Sequence, residues 1–200
     1  MTSNPPMPAL PTSGRLKPLA LTQVQLEDGI WAEFATKVRE VVIQHCSSLT
    51  EEVGWVDTLR EVAAGCPSSP RSWPANDSEV YKLAEAMSWQ QATPAGHRWK
   101  HKLDELADVI SEAQAEDGYL NSAFGRPGRP DRYSDMEYGH ELYCAGHLIQ
   151  AGVASARSGG PASLMVSAIR VADHICAVFG PDGRMGVCGH PEIETALVEL

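Results

Sequence analysis

The densest group of reactive side chains in this sequence is the run His140-Glu141-Leu142-Tyr143-Cys144-Ala145-Gly146-His147. His140, Cys144 and His147 stand at i, i+4 and i+7, so at about 100° per residue they fall within roughly 60° of one another on a helix face. The run resembles the HExxH of zinc proteases up to its fifth position, where Cys144 stands in place of the second histidine. That motif therefore fails, and no metal site is expected here. Cys144 and His147 read as packed core residues. His140 follows Gly139 at the start of the helix, where its ring can project from the helix end toward a cleft. His190 repeats the setting, after Gly189 and before Pro191. Two histidines at equivalent helix starts are placed to hydrogen-bond the hydroxyls of a ligand such as a sugar.

Carboxylates surround both starts: Asp135, Glu137 and Glu141 near the first, Glu192 and Glu194 near the second. Glycoside hydrolysis needs an acid paired with a base or nucleophile, but these positions do not single out a pair. Acidic residues near a helix N-terminus also simply complement its dipole. Asp135, Glu141, Tyr143, Glu192 and Glu194 form a second tier of binding candidates behind His140 and His190.

The elements that must position these residues are helical. Ile30, Phe34, Val38, Val41, Val42 and His45 recur at three- and four-residue steps on one face of a first helix. Gly54 breaks the pattern, and a short helix follows to about Ala64. The X-Pro steps between Gly65 and Asn76 predict a loop. Asp77-Ser78 offers an N-cap for a helix to about Gln91 that buries Val80, Tyr81, Ala84 and Met87. The next helix, about Trp99 to Ala115, turns Leu103, Leu106, Ala107, Ile110 and Ala113 inward. A long loop from Glu116 to Asp135 leads to a helix from about Tyr138 to Arg157, with Leu142, Ala145, Leu148, Ile149 and Gly152 as its stripe. After the tight link Ser158-Gly159-Gly160-Pro161, the clearest stripe is Met165, Ala168, Ile169, Ala172, Ile175, Cys176 and Phe179. Alternating β-branched runs are absent, which predicts an all-α fold.

Asp117-Gly118 and Asp182-Gly183 close the second helices of successive pairs, by turns in which glycine can take a positive φ. A recurring helical hairpin predicts a stacked array, whose closed form is an (α/α)6 toroid; the pairs here make about half of one. Residues 1–20, rich in Pro, Ser and Thr, are expected to be a disordered lead-in, and residues 21–200 the helical domain. The last segment, from Pro191, carries the stripe Ile193, Ala196, Leu197 and Leu200 and stops in mid-helix, which reads as truncation.

The bulk properties narrow the partners. Hydrophobic residues make up 43% of the chain and charged residues 21%, enough for a sizeable core, and the formal net charge is −10. With no basic run to displace counterions, nucleic acid is not an expected partner. The five cysteines are widely and irregularly spaced, without a CxxC pair, and are expected to be reduced. No segment reads as a secretory signal or a membrane span, so a cytoplasmic location is expected.

Several stretches together resemble glycoside hydrolase family 127, the β-L-arabinofuranosidases, over roughly residues 20 to 200. They are Asn76 to Lys82, Gln114 to Asn121, Arg132 to Asp135, Gly139 to Leu148, Ala172 to Ile175, Phe179 to Pro181 and Gly189 to Glu194. The octamer from His140 to His147 followed by Gly-His-Pro-Glu-Ile-Glu is the specific part. The resemblance implies an (α/α)6 toroid followed by β-sandwich domains, and retaining hydrolysis of terminal β-L-arabinofuranosyl residues of plant-derived arabinosides. It also implies a zinc-bound cysteine thiolate as nucleophile and a glutamate as acid/base, and gives His140 and His190 the sugar contacts. The family's zinc ligands and catalytic residues lie downstream of the Gly189–Glu194 segment, and neither Cys144 nor Cys188 is expected to replace them. No catalytic residue and no tightly bound zinc are therefore expected in this chain. Its expected partner is an arabinofuranosyl oligosaccharide or glycoconjugate. A partial ring would also leave apolar faces uncovered, which predicts self-association. The alternative reading is a non-catalytic helical-repeat module that binds a carbohydrate or a protein.

Overall fold

The computed structural model describes residue 7 and residues 14–66, 73–93 and 96–200. Most of the expected lead-in over 1–20 lies outside the described residues, as do residues 67–72 of the expected loop and residues 94 and 95. Eight α-helices form the described architecture: α1 (Ile30–Lys37), α2 (Ile43–Glu52), α3 (Trp55–Ala63), α4 (Asn76–Gln91), α5 (Lys100–Ala113), α6 (Glu141–Ser158), α7 (Ala162–Phe179) and α8 (Glu192–Glu199). No strand occurs among the described residues.

The helices alternate between two layers. In one, α4 packs on α2, α6 on α4 and α8 on α6; in the other, α5 packs on α3 and α7 on α5. Hairpins α2–α3, α4–α5 and α6–α7 join the layers. This is the all-α, two-layer plan of a partial (α/α)6 toroid. Gly54, left-handed at φ 79°, reverses the chain between α2 and α3, and Gly159 does the same after α6. Between the layers the core is aliphatic: Val80 and Met87 of α4, Leu103, Leu106 and Ile110 of α5, and Leu148 and Ile149 of α6 are fully buried. Each such side chain contributes about 1.5–3 kcal/mol. Gly152 on α6 lets α7 close in, since a Cβ there would collide with Ala168 Cβ and sit 2.9 Å from Leu164 O.

Four local expectations change. The first helix is interrupted by a π-helical turn at Val38–Val42. The extra residue in that turn rotates the helix beyond it, so α2 buries Ile43, Ser47 and Thr50. Ile30, Phe34, Val41 and Val42 face outward. In α4, Asp77 does not cap the helix; it is buried and accepts hydrogen bonds from Ser122 N (2.7 Å) and Ser122 Oγ (2.6 Å), which ties the long loop to the helix start. In α7 the buried face is Leu164, Ser167, Ala168, Val171, Ala172 and Ile175, leaving Ile169 and Cys176 exposed. That face mixes small residues with Leu164, Val171 and Ile175, and Ala168 stands against Gly152 of α6. Gly118 takes the expected positive φ (88°), but Gly183 does not; its N–H closes a turn on Gly180 O instead. Contrary to the sequence expectation, α7 is long and apolar enough by composition to cross a membrane, although one side of it is packed along α6 as the second arm of a hairpin.

Candidate functional site

The N-terminal ends of α4, α6 and α8 carry the candidate chemistry. Helix α6 begins at Glu141 and not at Tyr138, because the two preceding residues are committed to a turn. Asp135 Oδ1 accepts from Tyr138 N at 2.8 Å, and Gly139 N donates to Asp135 O at 3.0 Å. Gly139 is wedged in place: a Cβ there would strike Asp135 O and lie 2.9 Å from Phe124 Cζ. His140 then takes the left-handed conformation, φ 56°, ψ 19°. For a non-glycine residue this costs about 1 kcal/mol and persists only where the surroundings impose it. A contact of 2.6 Å between His140 Nδ1 and Tyr138 O helps to hold it. Asp135, exposed, therefore shapes the turn that presents His140.

The second histidine approaches through two more close packings. Gly189 N donates to Met136 O at 3.0 Å, and a Cβ at Gly189 would run into Glu137 O. On α6, a Cβ at Gly146 would lie 2.8 Å from Glu192 Cγ and 3.1 Å from Ile193 N. The glycine inside the octamer is thus where α8 begins its crossing of α6.

Tyr143 sits at the centre of the result. Its ring centroid is 5.6 Å from that of His140, 4.5 Å from His147 and 4.7 Å from His190, each edge-on. Lys82 Nζ, paired with Glu79 at 2.5 Å, lies 5.8 Å from the Tyr143 ring centre. Trp73 stands edge-on to His140 at 5.9 Å.

Hydrogen bonding assigns the two imidazoles opposite roles. A carbonyl can only accept, so His140 Nδ1 carries a proton toward Tyr138 O, and neutral His140 offers Nε2 as an acceptor. Glu192 N donates to His190 Nδ1 at 3.1 Å, so neutral His190 offers Nε2–H as a donor. His147 is half-buried, with Nδ1 3.7 Å from Glu192 Oε1. Burial and the Lys82 charge push its pKa down to about 4, so it is neutral at physiological pH.

The remaining candidates lie elsewhere. Glu141 does not face the histidines: it is buried, accepting from Tyr119 Oη on one oxygen and from Tyr133 N (2.7 Å) on the other. Burial raises its carboxyl to about 7. Glu141 therefore fastens the long loop to α6. Glu192 turns toward His147, and Glu194 is exposed on α8. Trp73 carried no local sequence signal beyond a Trp-Pro step ahead of a helix, and Lys82 only its place at the end of the Asn76 to Lys82 stretch. A groove of about 760 Å3 between residues 21–27 and α1 is lined by none of these histidines or aromatics.

Among the described residues, no three His, Cys, Asp or Glu side chains gather as a metal-binding group. Cys144 is completely buried and its thiol donates to Pro74 O at 3.8 Å. Burial pushes that thiol well up, the opposite of what a zinc-held thiolate requires. Cys188 Sγ is occupied with His190 O at 2.8 Å. These residues do not fit a zinc–thiolate centre.

A family model described as "Beta-L-arabinofuranosidase, GH127 catalytic domain" matches residues 23–200. A non-reducing end β-L-arabinofuranosidase of Bifidobacterium longum subsp. longum is 37% identical over 130 residues, covering 62% of this chain and 20% of that protein. The crystal structure of a GH127 β-L-arabinofuranosidase from Geobacillus stearothermophilus T6 superposes with a TM-score of 0.82 at 30% identity, over 88% of this chain and 29% of that one. A second solved GH127 β-arabinofuranosidase gives 0.78 at 29% identity, over 90% and 30%. The chain thus spans about a fifth of the curated relative and under a third of the solved ones. On its match to the family, its helical layers and the two Gly-His helix starts, the chain belongs to glycoside hydrolase family 127, the β-L-arabinofuranosidases, as an N-terminal part of the catalytic domain.

Proposed function

We propose that this chain forms the sugar-recognising end of a retaining β-L-arabinofuranosidase acting on plant-derived arabinosides, with His140 and His190 hydrogen-bonding a terminal β-L-arabinofuranosyl residue. The observation that carries the reading is the pair of complementary ring nitrogens around Tyr143, Nε2 accepting on His140 and Nε2–H donating on His190. Each hydroxyl of a furanose both donates and accepts, so adjacent hydroxyls satisfy both rings at once. The Tyr143 ring between them supplies an apolar floor for the C–H face of the sugar.

The same reading has the chain bind without cleaving. Retention requires a nucleophile and an acid/base set about 5–5.5 Å apart across the glycosidic bond. Glu141 is held by Tyr119 and Tyr133, Cys144 is buried, and Glu192 is turned to His147. None of the three is free to attack a sugar carbon. Both parts are tested on the 200-residue chain. Titration with methyl β-L-arabinofuranoside is expected to shift the imidazole NMR signals of His140 and His190 saturably, with H140A and H190A each losing the response. Spectra unchanged by the sugar would refute the binding site. Turnover of a nitrophenyl β-L-arabinofuranoside would refute binding without cleavage.

A further inference from the structure

Trp73 is 60% exposed, an unusual state for the largest apolar side chain, yet the chain that leads from it into α4 is anchored. Pro74, next in sequence, accepts the Cys144 thiol hydrogen bond that ties this strand of chain to α6. Two residues further on, Asn76 begins α4, and Asp77 is locked to Ser122. The indole thus stands at the head of an anchored segment without being packed away. Its one aromatic neighbour among the described residues is His140. The rings form a row in the order Trp73, His140, Tyr143, His190, with successive centroids 5.9, 5.6 and 4.7 Å apart.

From this juxtaposition we infer that Trp73 is a specificity-determining residue: a stacking platform for the sugar attached to the terminal arabinofuranosyl residue. The inference rests on the sugar-site reading of His140 and His190. A furanose hydrogen-bonded to both histidines occupies the middle of the row, over Tyr143. Whatever is joined to it on the His140 side passes His140 and meets the indole. The surface sets the partner chemistry. An indole with a free face takes the C–H side of a sugar ring by apolar and CH–π contact, the way aromatic side chains supply contact area with few rotamers to freeze. The aromatic platform suits a neutral sugar ring and not a charged group.

The test compares two ligands on the intact chain by NMR titration: methyl β-L-arabinofuranoside, and a disaccharide with a terminal β-L-arabinofuranosyl residue. In the wild type the disaccharide should bind more tightly. W73A should weaken the disaccharide about five- to tenfold, the range of one aromatic contact, and leave the methyl glycoside within twofold. W73F should fall between. H140A should abolish both ligands. Because Trp73 is exposed, W73A should keep the wild-type melting temperature, and its NMR fingerprint outside residues 73–76 and 140–143 should be unchanged. Equal weakening of both ligands would show that the indole touches the terminal sugar itself and overturn the inference. So would an unchanged disaccharide affinity in W73A. Failure of the wild type to bind either ligand would instead overturn the sugar site, and this platform with it.

Discussion

Glu141 opens helix α6 one residue after His140, and its buried carboxylate accepts hydrogen bonds from Tyr119 Oη and Tyr133 N. Burial lifts its pKa from 4.5 to about 7. The folded chain therefore holds this proton more tightly than the unfolded chain does. The resulting stabilisation is fully present below about pH 4.5 and is lost as pH rises through 7. At about 1.4 kcal/mol per tenfold change in proton affinity, the whole effect is about 3 kcal/mol. For a chain of this size that is roughly 6–12 °C in melting temperature. His147 works in the opposite direction: its folded pKa of about 4, down from 6.5, gives stability that is present above 6.5 and lost as pH falls to 4. The two slopes largely cancel between pH 4.5 and 6.5, so the wild-type profile alone does not isolate either group. E141Q does, because an amide can accept from Tyr133 N and donate to Tyr119 Oη while staying neutral at every pH. Urea unfolding of both proteins, followed by circular dichroism from pH 4.5 to 8, should show the wild type losing about 3 kcal/mol relative to E141Q as pH rises. E141Q alone should show a profile that climbs with pH, through His147. A difference curve flat to within about 0.5 kcal/mol, the scale of the extrapolation error, would refute the assignment of a buried, proton-binding carboxyl.

The same geometry sets four further outcomes. G146A pushes a methyl group against Glu192 and Ile193 and should destabilise the fold by about 1–3 kcal/mol, measured by urea unfolding, with the His190 signals displaced. H140G should raise the melting temperature or leave it unchanged, since glycine removes a left-handed strain of about 1 kcal/mol, while sugar binding is lost. A thiol reagent should label Cys66 and Cys176, which are exposed, within the native state, and Cys144 only after unfolding. Size-exclusion chromatography should show concentration-dependent association, because Ile30, Trp31, Phe34 and Val41 at one end and Val166 and Ile169 at the other are exposed; replacing Trp31 and Phe34 by serine should reduce it.

What the sequence determined by itself was the set of elements and the family. Helices α4, α5 and α6 each carry an apolar stripe wide enough to name its buried residues, such as Val80, Leu103 and Leu148, because the 3.6-residue period is a local property of the chain. Gly139-His140 and Gly189-His190 were legible as helix starts for the same reason: a glycine beside a helical pattern marks a backbone that turns or is closely approached. The tertiary structure decided which way faces point and which polar groups meet. In α7 the buried face leaves out Ile169 and Cys176 of the expected stripe, and beside the π-turn Ile30 and Phe34 of α1 stay outside, outcomes invisible from one helix alone. Glu141 looked like ordinary helix-dipole chemistry until the loop carrying Tyr119 and Tyr133 closed on it from residues 8 and 22 positions away. The row from Trp73 to His190 spans three separate helix starts. Only the packing of α4 against α6 and α6 against α8 brings it together, because contacts between residues distant in sequence depend on how helices cross and not on the order of residues within any one of them.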